Sequence, residues 1–424
     1  MSISTILDNI NNYIWGFGLI YLLLFVGIIY TIKLKFVQFR FIPYILKSIH
    51  KNKHSESQNI SQLKTVCLSL GTAMGTGNIT GVASAIAIGG AGAIFWMWIS
   101  AFFGMALVYS ENYLAILFRK NNDCSGPMAY LKYGLGSNIL PIIFAVFCIF
   151  AAFGMGGMVQ VSSFSENLYN CYDFNPLLLS AIIFAVIYFV IKGGIGRIGS
   201  AAQALLPLIT IIYLTVSFLV IFKFRSNIPS AFANIFSDAF SAAPIAGGIG
   251  GFTISRAVSS GIRRGIFSNE AGLGSSPILH CSSEKNAPSL QGMWSIFEVF
   301  FDTIVCCTIT ALVLLTASSG GEYSITHAFA NIFYSKTDLF LAITMAVFAF
   351  CTIIGWYYCG ETAFSFIFGN SRKNIFCFAF ALISASGAIF TLKTVWTLSD
   401  IFNGLMAFPN LIGLLLLIKN VKRE

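Results

Sequence analysis

The sequence is divided into apolar blocks of about 20 residues that are separated by short polar loops. A block of this length, folded as an α-helix, crosses the hydrocarbon core of a lipid bilayer. Hydrophobic residues make up 57% of the chain and charged residues only 10%, whereas an ordinary soluble domain has about 25% charged residues. Because such a chain cannot be solvated as a globule, we expect one all-α integral membrane domain.

The apolar blocks and the positive-inside rule together predict eleven transmembrane helices. The basic loop after the first block contains Lys33, Arg40 and Lys47, among others, so it is predicted to be cytoplasmic. This places the N-terminus outside the cell and the C-terminus in the cytoplasm, with the protein in the cell (inner) membrane. The predicted spans lie near residues 14–32, 64–88, 93–118, 138–167, 177–191, 200–222, 244–281 with interruptions, 290–316, 338–368, 374–391 and 397–418.

The stretch 252–267 does not read as a plain span, because it contains Arg256, Arg263 and Arg264 on a weakly hydrophobic background. We expect it to be partly interfacial or to line a cavity. The net charge of +9 is distributed in short clusters between apolar blocks, which argues for topology signals and against a nucleic-acid surface. The ten cysteines have no CxxC spacing and read as packing residues. The N-terminus lacks the features of a cleaved signal peptide.

Four short matches, in the same order along the chain, indicate a weak internal repeat of the kind that transporters contain. The pattern small-Asn-x-x-Gly-x-small-Ser occurs at Asn78 and again at Asn269. The other matches pair Glu111 with Asp302, Gly156 with Gly355, and Pro207 with Pro409. Each copy holds five predicted spans, and an odd number forces the second copy to enter the membrane from the opposite side. We therefore predict an inverted repeat formed by residues 63–225 and 226–424, preceded by an extra helix and basic loop in residues 1–62.

Two glycine-rich breaks lie at matching positions in the second and seventh predicted spans, at residues 71–78 and 265–272. Within a bilayer, irregular backbone is tolerated only where it is buried in protein or lines a cavity. The N–H groups at a half-helix N-terminus favour a carboxylate, and neutral carbonyl and hydroxyl oxygens suit a sodium ion. The pair therefore predicts a site for an amino acid zwitterion and a cation. The alternative is that the glycines only permit close helix packing.

Several polar or aromatic side chains within apolar spans are further candidates. Gln160 has a full amide that could hold the ammonium or carboxylate of a substrate, or could bond a neighbouring backbone. Trp356 could cap a small pocket, although a tryptophan in a span more often packs. Acidic residues at membrane depth are functional candidates by default, and in this chain they are Glu111, Glu270, Asp302 and Glu361.

At these positions the sequence resembles the alanine or glycine:cation symporter family, also called sodium:alanine symporters. The resemblance covers roughly residues 63–415. The most specific string is Ser-Asn-Glu-Ala-Gly-Leu-Gly-Ser at 268–275, and further matches lie at 75–83, 95–98, 158–160, 193–198 and 355–361. Met74, Ala91 and Gly157 depart from the family's pattern, and Met74 and Gly157 are expected beside the pocket.

The resemblance implies a leucine-transporter type fold with one additional helix and sodium-driven uptake of alanine, glycine or D-alanine. No cofactor is expected beyond the co-transported sodium, and a monomer in the lipid bilayer is expected. The substrate site is implied to contain Thr76, Gly77, Asn78, Gln160, Phe164, Ser268, Asn269 and Trp356, and the sodium ligands to include Thr76, Asn78, Asn269 and Asp302.

The sequence is also compatible with three alternative functions. A proton-coupled carrier would cycle protonation on Glu270 or Glu361. A channel or amino acid sensor would lack net coupling. An intramembrane enzyme would need a catalytic set at membrane depth, and the sequence places only His280 near a serine cluster.

Overall fold

The computed structural model describes residues 3–51, 61–120, 125–171, 174–240, 256–283, 287–317 and 323–423. These ranges are almost entirely helical and contain no β-strand. The helices up to the middle of the chain are α1 (Ile3–Ile14), α2 (Phe17–Lys33), α3 (Phe41–Lys51), α4 (Gln62–Ala73), α5 (Thr80–Gly89), α6 (Gly92–Leu117), α7 (Pro127–Ala129), α8 (Leu140–Ala151), α9 (Val159–Cys171), α10 (Pro176–Ile191) and α11 (Gly194–Lys223). The later helices are α12 (Ile228–Ala239), α13 (Arg256–Asn269), α14 (Ser276–His280), α15 (Pro288–Val299), α16 (Thr308–Ala317), α17 (Ile325–Phe333), α18 (Thr337–Phe368), α19 (Lys373–Ser386) and α20 (Leu392–Leu416).

Seven continuous helical segments in the described ranges are long and apolar enough to cross a membrane. They are Thr5–Lys33, Gly92–Leu117, Leu140–Tyr169, Gly194–Lys223, Pro288–Ala317, Ile325–Phe368 and Leu392–Leu416. Large apolar side chains on the outer face of α11, such as Ile211 and Phe222, are about two-thirds exposed. Such side chains have a favourable partner in lipid rather than in water. The expectation of an all-helical, multi-pass membrane protein is therefore confirmed.

The other four predicted spans correspond to interrupted or short helices. The second span is α4, a 3-10 turn over Thr76–Asn78, and α5. The seventh contains α13, an irregular segment, and α14. The predicted residues 244–255 at its start lie outside the described residues, as do residues 52–60 of the basic loop and Lys285. The fifth predicted span corresponds to the short helix α10, and the tenth corresponds to the short helix α19.

Backbone geometry shows why both breaks occur where the glycines are. Gly75 has no room for a side chain, since a Cβ built there would lie 2.5 Å from Thr352 Oγ1 and 2.7 Å from Gln160 Oε1. In the second break Glu270, Gly272 and Gly274 all have positive φ, at 57°, 84° and 87°. A left-handed conformation costs little for glycine but is uncommon for glutamate. Glu270 must therefore be held by its surroundings.

Two long helices change to π-helical geometry near the middle of the chain's apolar spans. Residues Ala152–Met158 join α8 to α9, and residues Phe300–Cys307 join α15 to α16. A π-helical turn widens the backbone spacing and is frequent at functional sites. Gln160 follows the first of these segments, and Asp302 lies within the second.

The helices adjoining the two breaks pack against long continuous helices. α6 packs against α13 and α15, and α18 packs against α4, α8 and α11. Small residues permit the closest approaches: at Gly355 on α18, an added Cβ would overlap the hydroxyl of Thr72 on α4. The eight described cysteines whose side chains are placed are all buried and unpaired with one another, which agrees with a packing role.

Alanine at Gly355 is expected to destabilise the protein, because its methyl group would push α18 away from α4. Overpacking of this kind typically costs about 1–3 kcal/mol. Gly196 on α11 is the matched control, since a Cβ there meets no atom within 4 Å. Thermal unfolding in detergent should show a lower midpoint for Gly355→Ala and an unchanged or higher one for Gly196→Ala. Equal unfolding midpoints for the two variants would mean that the α4–α18 contact accommodates the added methyl group without loss of stability.

Three amphipathic helices were not predicted as separate elements. They are α1, α3 and α12, and α3 illustrates the pattern: Phe41 and Ile45 are buried, whereas Lys47 is exposed. α12 packs its small residues against α6. A search for full-length apolar spans misses such helices because each is short and only one face is apolar.

Candidate functional site

Asp302 is the point at which the two broken segments meet. Its side chain is fully buried. Oδ1 accepts a hydrogen bond from Asn78 Nδ2 at 2.6 Å, and Oδ2 accepts one from Ser268 Oγ at 2.7 Å. Asn78 belongs to the first break, Ser268 to the end of α13, and Asp302 to the π-helical segment. One carboxylate therefore joins three elements that are far apart in sequence.

Thr303 extends this cluster to the second asparagine. Its hydroxyl donates to Asp302 Oδ2 at 2.8 Å and accepts from Asn269 Nδ2 at 3.1 Å. The amide oxygen of Asn269 accepts from the backbone N–H of Ala271 at 3.0 Å, so this side chain also shapes the break. Asn78 Oδ1 is buried and has no hydrogen-bond partner within the described part of the chain. A buried amide oxygen without a partner is costly, and it is available to a bound cation or ammonium.

Thr76 and Gln160 form a second polar contact next to this cluster. Gln160 Oε1 accepts from the backbone N–H of Thr76 at 3.0 Å and from its hydroxyl at 2.9 Å. Gln160 Nε2 donates to the Met155 carbonyl at 3.1 Å, within the π-helical segment before α9. The irregular backbone on both sides is thus what brings the Gln160 amide to the first break.

An open cavity of about 800 Å³ is lined by residues of α5, which follows the first break, and of α13, which precedes the second. Its lining includes Thr80 and Ser84 of α5, together with Trp396 of α20. The ring of Phe267 stacks on Trp396 with centroids 4.4 Å apart, and a Cβ at Gly77 would lie 3.4 Å from the Phe267 ring. The two aromatic rings therefore separate this cavity from the break at Gly77.

The floor of the same cavity carries a charged cluster. The Asp400 carboxylate on α20 forms ion pairs with the guanidinium nitrogens of Arg263 at 3.4 Å and of Arg264 at 3.6 Å. The Arg264 guanidinium also lies 4.1 Å from the centroid of the Trp396 ring. Five described residues of the stretch 252–267 line the cavity, in agreement with the expectation of a cavity-lining segment: Arg256, Ser259, Ser260, Arg263 and Arg264. Arg264 thus pairs with Asp400 rather than with Glu270, which is closer to it in sequence.

Glu270 instead bonds within its own break and to α18. Its carboxylate accepts from Ser275 Oγ and, at 2.8 Å, from Trp356 Nε1. Trp356 is fully buried, and a Cβ at Gly156 would overlap it. The indole N–H of Trp356 thus helps to hold Glu270 in its left-handed conformation.

Three other residues assigned near the pocket lie in packing positions. Phe164 packs against an apolar cluster that also contains Met74, Ile79 and Leu206. A Cβ at Gly157 would overlap Ser384 on α19. The expectation that Met74 and Gly157 lie beside the pocket is therefore wrong for Gly157, whose missing side chain accommodates a neighbouring helix, and Met74 is part of the contact with α11.

The two remaining acidic candidates, Glu111 and Glu361, lie in different environments. Glu111 is fully buried, and its carboxylate accepts from Asn410 Nδ2 at 2.5 Å. Asn410 also donates to the carbonyl of Gly272 at 2.9 Å, so Glu111 supports the second break. Glu361 pairs with Lys373 at 3.0 Å beside a smaller polar cavity. Neither contacts the Asp302 cluster.

The donor set of the cluster decides what it can bind. One carboxylate, two amides and two hydroxyls supply hard oxygen donors. The Cys307 thiol lies beside them, with its sulfur 3.3 Å from Ser268 Oγ and 3.5 Å from Asn78 Nδ2. No group of three or more His, Cys, Asp or Glu that could hold a metal occurs in the ranges described. The arrangement suits a monovalent cation next to a zwitterion. Sequence reasoning missed Thr303 and Trp396, although the position of Thr303 directly after Asp302 was a usable signal.

Comparison with known proteins agrees with a transporter. A model of the sodium:alanine symporter family matches residues 1–424. The chain is 39% identical to the sodium/alanine symporter AgcS of Methanococcus maripaludis, over 98% of this chain and 95% of that protein. It is 37% identical to the probable sodium/glutamine symporter GlnT of Bacillus subtilis, over 97% and 87%. A solved manganese transporter mutant from Eremococcus coleocola aligns with a TM-score of 0.55 over 82% of this chain and 75% of that chain, at 14% identity, which is a likeness of fold alone.

Proposed function

The chain belongs to the sodium:alanine symporter family, and we propose that it is a sodium-coupled symporter that imports a small neutral amino acid, namely alanine, glycine or D-alanine. The single observation that carries this proposal is the meeting of both interrupted helices at Asp302. Transporter substrate and ion sites are typically built from such discontinuous helices. As a transporter, the protein is not an enzyme.

The proposed amino acid site lies between Thr76 and Gln160. A zwitterion needs acceptors for its ammonium and donors for its carboxylate, and the Gln160 amide supplies one of each. Substrate binding would exchange the Thr76–Gln160 hydrogen bonds for bonds to the zwitterion. The aromatic ring of Phe267 against Gly77 leaves little space for a long side chain, which supports a small substrate. Ser268 and Asn269 complete this site in our assignment.

The proposed sodium site is centred on Asp302 and Asn78. Asn78 Oδ1 is buried without a partner among the described residues, and Asp302 supplies the charge that offsets the ion. Thr76 and Asn269 are the further ligands that we propose, and each would have to release one present hydrogen bond. These ligands come from both breaks, so sodium binding would favour one arrangement of the two breaks. Because the substrate would bind to the same arrangement, sodium and substrate would bind with positive coupling.

We further propose eleven spans in a five-plus-five inverted repeat, with the N-terminus outside and a monomer as the working unit. The two arginine–Asp400 ion pairs and the Phe267–Trp396 stack then close the external route to the site. Alternating access would require these contacts to separate and re-form. Trp356 is assigned to positioning the second break, through Glu270, rather than to contact with the substrate.

Sodium-dependent binding of alanine to the purified protein tests the proposal directly. In detergent at fixed pH, labelled alanine is expected to bind in sodium chloride and to lose at least about tenfold in affinity, or ~1.4 kcal/mol, in choline chloride. Competition by glycine, D-alanine and glutamine then ranks the substrates. Choline at a constant pH also separates sodium from a proton that cycles on Glu270 or Glu361.

Binding that is equally tight in choline would contradict sodium coupling. Stronger competition by glutamine than by alanine or glycine would contradict the assignment of a small substrate. The Asp338→Asn variant serves as a control, because Asp338 begins α18 and is not part of the Asp302 cluster.

A further inference from the structure

A buried imidazole and carboxylate lie outside the cluster that the proposed function uses. His280 ends α14 and is fully buried, and Glu298 lies on α15 with only 4% of its surface exposed. His280 Nε2 is 3.0 Å from Glu298 Oε1 and 3.1 Å from Oε2. A charged carboxylate at such a position is costly unless it has a partner. The pair therefore calls for a specific explanation.

The other ring nitrogen shows which protons the imidazole carries. His280 Nδ1 is 2.7 Å from Gln291 Oε1, which is an acceptor. The Gln291 amide nitrogen is already engaged, since it donates to Gln62 Oε1 at 2.8 Å and to Ser283 Oγ at 3.1 Å. Gln291 Oε1 also accepts from Gln62 Nε2 at 3.2 Å. With the Gln291 amide in this orientation, both partners of the ring accept hydrogen bonds, and both ring nitrogens donate. The geometry thus describes an imidazolium beside a carboxylate.

Loss of one proton would disturb more than this pair. Without its proton, Nδ1 would present a lone pair to Gln291 Oε1 at 2.7 Å, and the Gln291 amide would have to turn over. Turning it would reverse its hydrogen bonds with Gln62 and Ser283. Gln62 is the first residue of α4, so the proton is linked through one amide to the start of the first interrupted helix.

A second bond links the pair to the same helix. Ser69 Oγ, on α4, donates to Glu298 Oε2 at 2.7 Å. Glu298 thus receives donors from α14, which follows the second break, and from α4, which precedes the first. Hydrogen bonds to charged groups are stronger than those between neutral groups. The pair therefore ties together the ends of both interrupted helices on the side of the breaks opposite the large cavity.

Other titratable groups near the pair do not replace either partner. Arg119 at the end of α6 donates to the Ser283 carbonyl at 3.1 Å rather than to Glu298. Within the ranges described, Glu298 is the carboxylate that bonds the His280 ring. The titratable and charged groups on the elements packed around the pair include Lys64 and Cys67 of α4, Tyr109, Glu111 and Tyr113 of α6, Cys281 after α14, Asp302, Cys306 and Cys307 after α15, Asp338, Cys351, Tyr357, Tyr358, Cys359 and Glu361 of α18, Tyr44 and Lys47 of α3, and Glu270 in the break.

We infer that His280 and Glu298 form an internal proton-binding site, distinct from the Asp302 cluster, whose proton fastens α14 and α15 to α4. Binding the proton gives the Glu298 carboxylate a cationic partner and fixes the orientation of the Gln291 and Gln62 amides. Release of the proton weakens the tie. The consequence for transport, a closed route on this side while the proton is bound, rests on the proposed function; the proton site itself does not.

Nitrogen NMR of histidine in the purified, full-length protein tests the site. The chain has four histidines, so replacing His50, His54 and His327 with glutamine leaves the His280 ring as the one labelled signal. At pH 7 we expect both ring nitrogens to be protonated. In the additional Glu298→Gln variant, the ratio of protonated to neutral imidazole should fall at least tenfold, because the carboxylate that favours the cation is gone.

The matched control is Ser295→Ala, since Ser295 is a buried residue of the same helix whose hydroxyl bonds the Gly292 carbonyl. It should leave the imidazolium signal unchanged. A neutral His280 ring at pH 7 without the Glu298 substitution would overturn the inference. An imidazolium that persists in Glu298→Gln would also overturn it, and the first of these outcomes is decisive even if Glu298→Gln fails to fold.

Thiol labelling tests the tie to α4. Cys67 is a buried residue of α4, and its modification by a membrane-permeant maleimide at constant pH can be followed by mass spectrometry of its peptide. Ser69→Ala removes the α4 bond to Glu298 and is expected to raise the labelling rate about tenfold, the equivalent of ~1.4 kcal/mol; Ser295→Ala should not. Equal rates in the two variants would refute the tie. Neither measurement requires uptake, so these failures are distinguishable from a failure of symport.

Discussion

Asparagine in place of Asp302 is expected to weaken sodium binding at least about 100-fold, or ~2.8 kcal/mol. The substitution keeps the shape of the side chain but removes the one negative charge in the cluster. It also replaces one of the two acceptor oxygens by an N–H₂ group, which would face either the Asn78 amide donor or the hydroxyl donors of Ser268 and Thr303. Binding of labelled sodium, and the sodium dependence of alanine binding, measure the effect.

The Asp338→Asn variant controls for the loss of one carboxylate, since Asp338 lies in the first turn of α18. Helical content and gel-filtration behaviour in detergent establish that each variant is folded. A folded Asp302→Asn protein with ordinary sodium affinity would show that Asp302 only joins the helices and does not bind the ion.

Alanine in place of Gln160 is expected to weaken amino acid binding about 100-fold while changing sodium binding in the absence of substrate much less. The amide is the group proposed to contact the zwitterion, and its removal also leaves the buried Thr76 N–H without its acceptor. Leaving a buried donor unpaired costs about 1–3 kcal/mol. Equilibrium binding of labelled alanine at saturating sodium gives the affinity.

Gln203→Ala is the matched control, because Gln203 is a half-buried glutamine on α11, and it should leave alanine binding unchanged. If Gln160→Ala binds alanine with ordinary affinity, Gln160 is a packing residue that bonds the first break. A parallel loss of sodium and alanine binding would instead indicate that Thr76 and the break have collapsed.

The sequence was sufficient to predict the membrane class and the two breaks, because each depends on local information. Blocks of apolar residues specify spanning helices, and the glycines around Asn78 and Asn269 specify where helices cannot continue. Asp302 was predicted to bind sodium together with Asn78 and Asn269, and in the structure its carboxylate bonds Asn78 and Ser268.

The π-helical segments and the partners of charged side chains were not predictable in the same way. Ala152–Met158 contains three glycines, which weaken an α-helix but do not specify a π-helix, and this segment packs against α18, α19 and α20. Arg264 pairs with Asp400, 136 positions away, rather than with the nearby Glu270. Trp356 adjoins Gly355, but whether its indole faces the substrate or Glu270 depends on the left-handed backbone of Glu270. Each of these depends on tertiary contacts.

Uphill accumulation of alanine in proteoliposomes tests the central claim most directly. Vesicles containing the purified protein, with labelled alanine at equal concentration inside and outside, would receive an inward sodium gradient at equal pH on both sides. We predict that the alanine concentration inside the vesicles rises above the external concentration. The alanine gradient should disappear when a sodium ionophore is added. No net accumulation, despite exchange of labelled for unlabelled alanine, would contradict sodium-coupled symport.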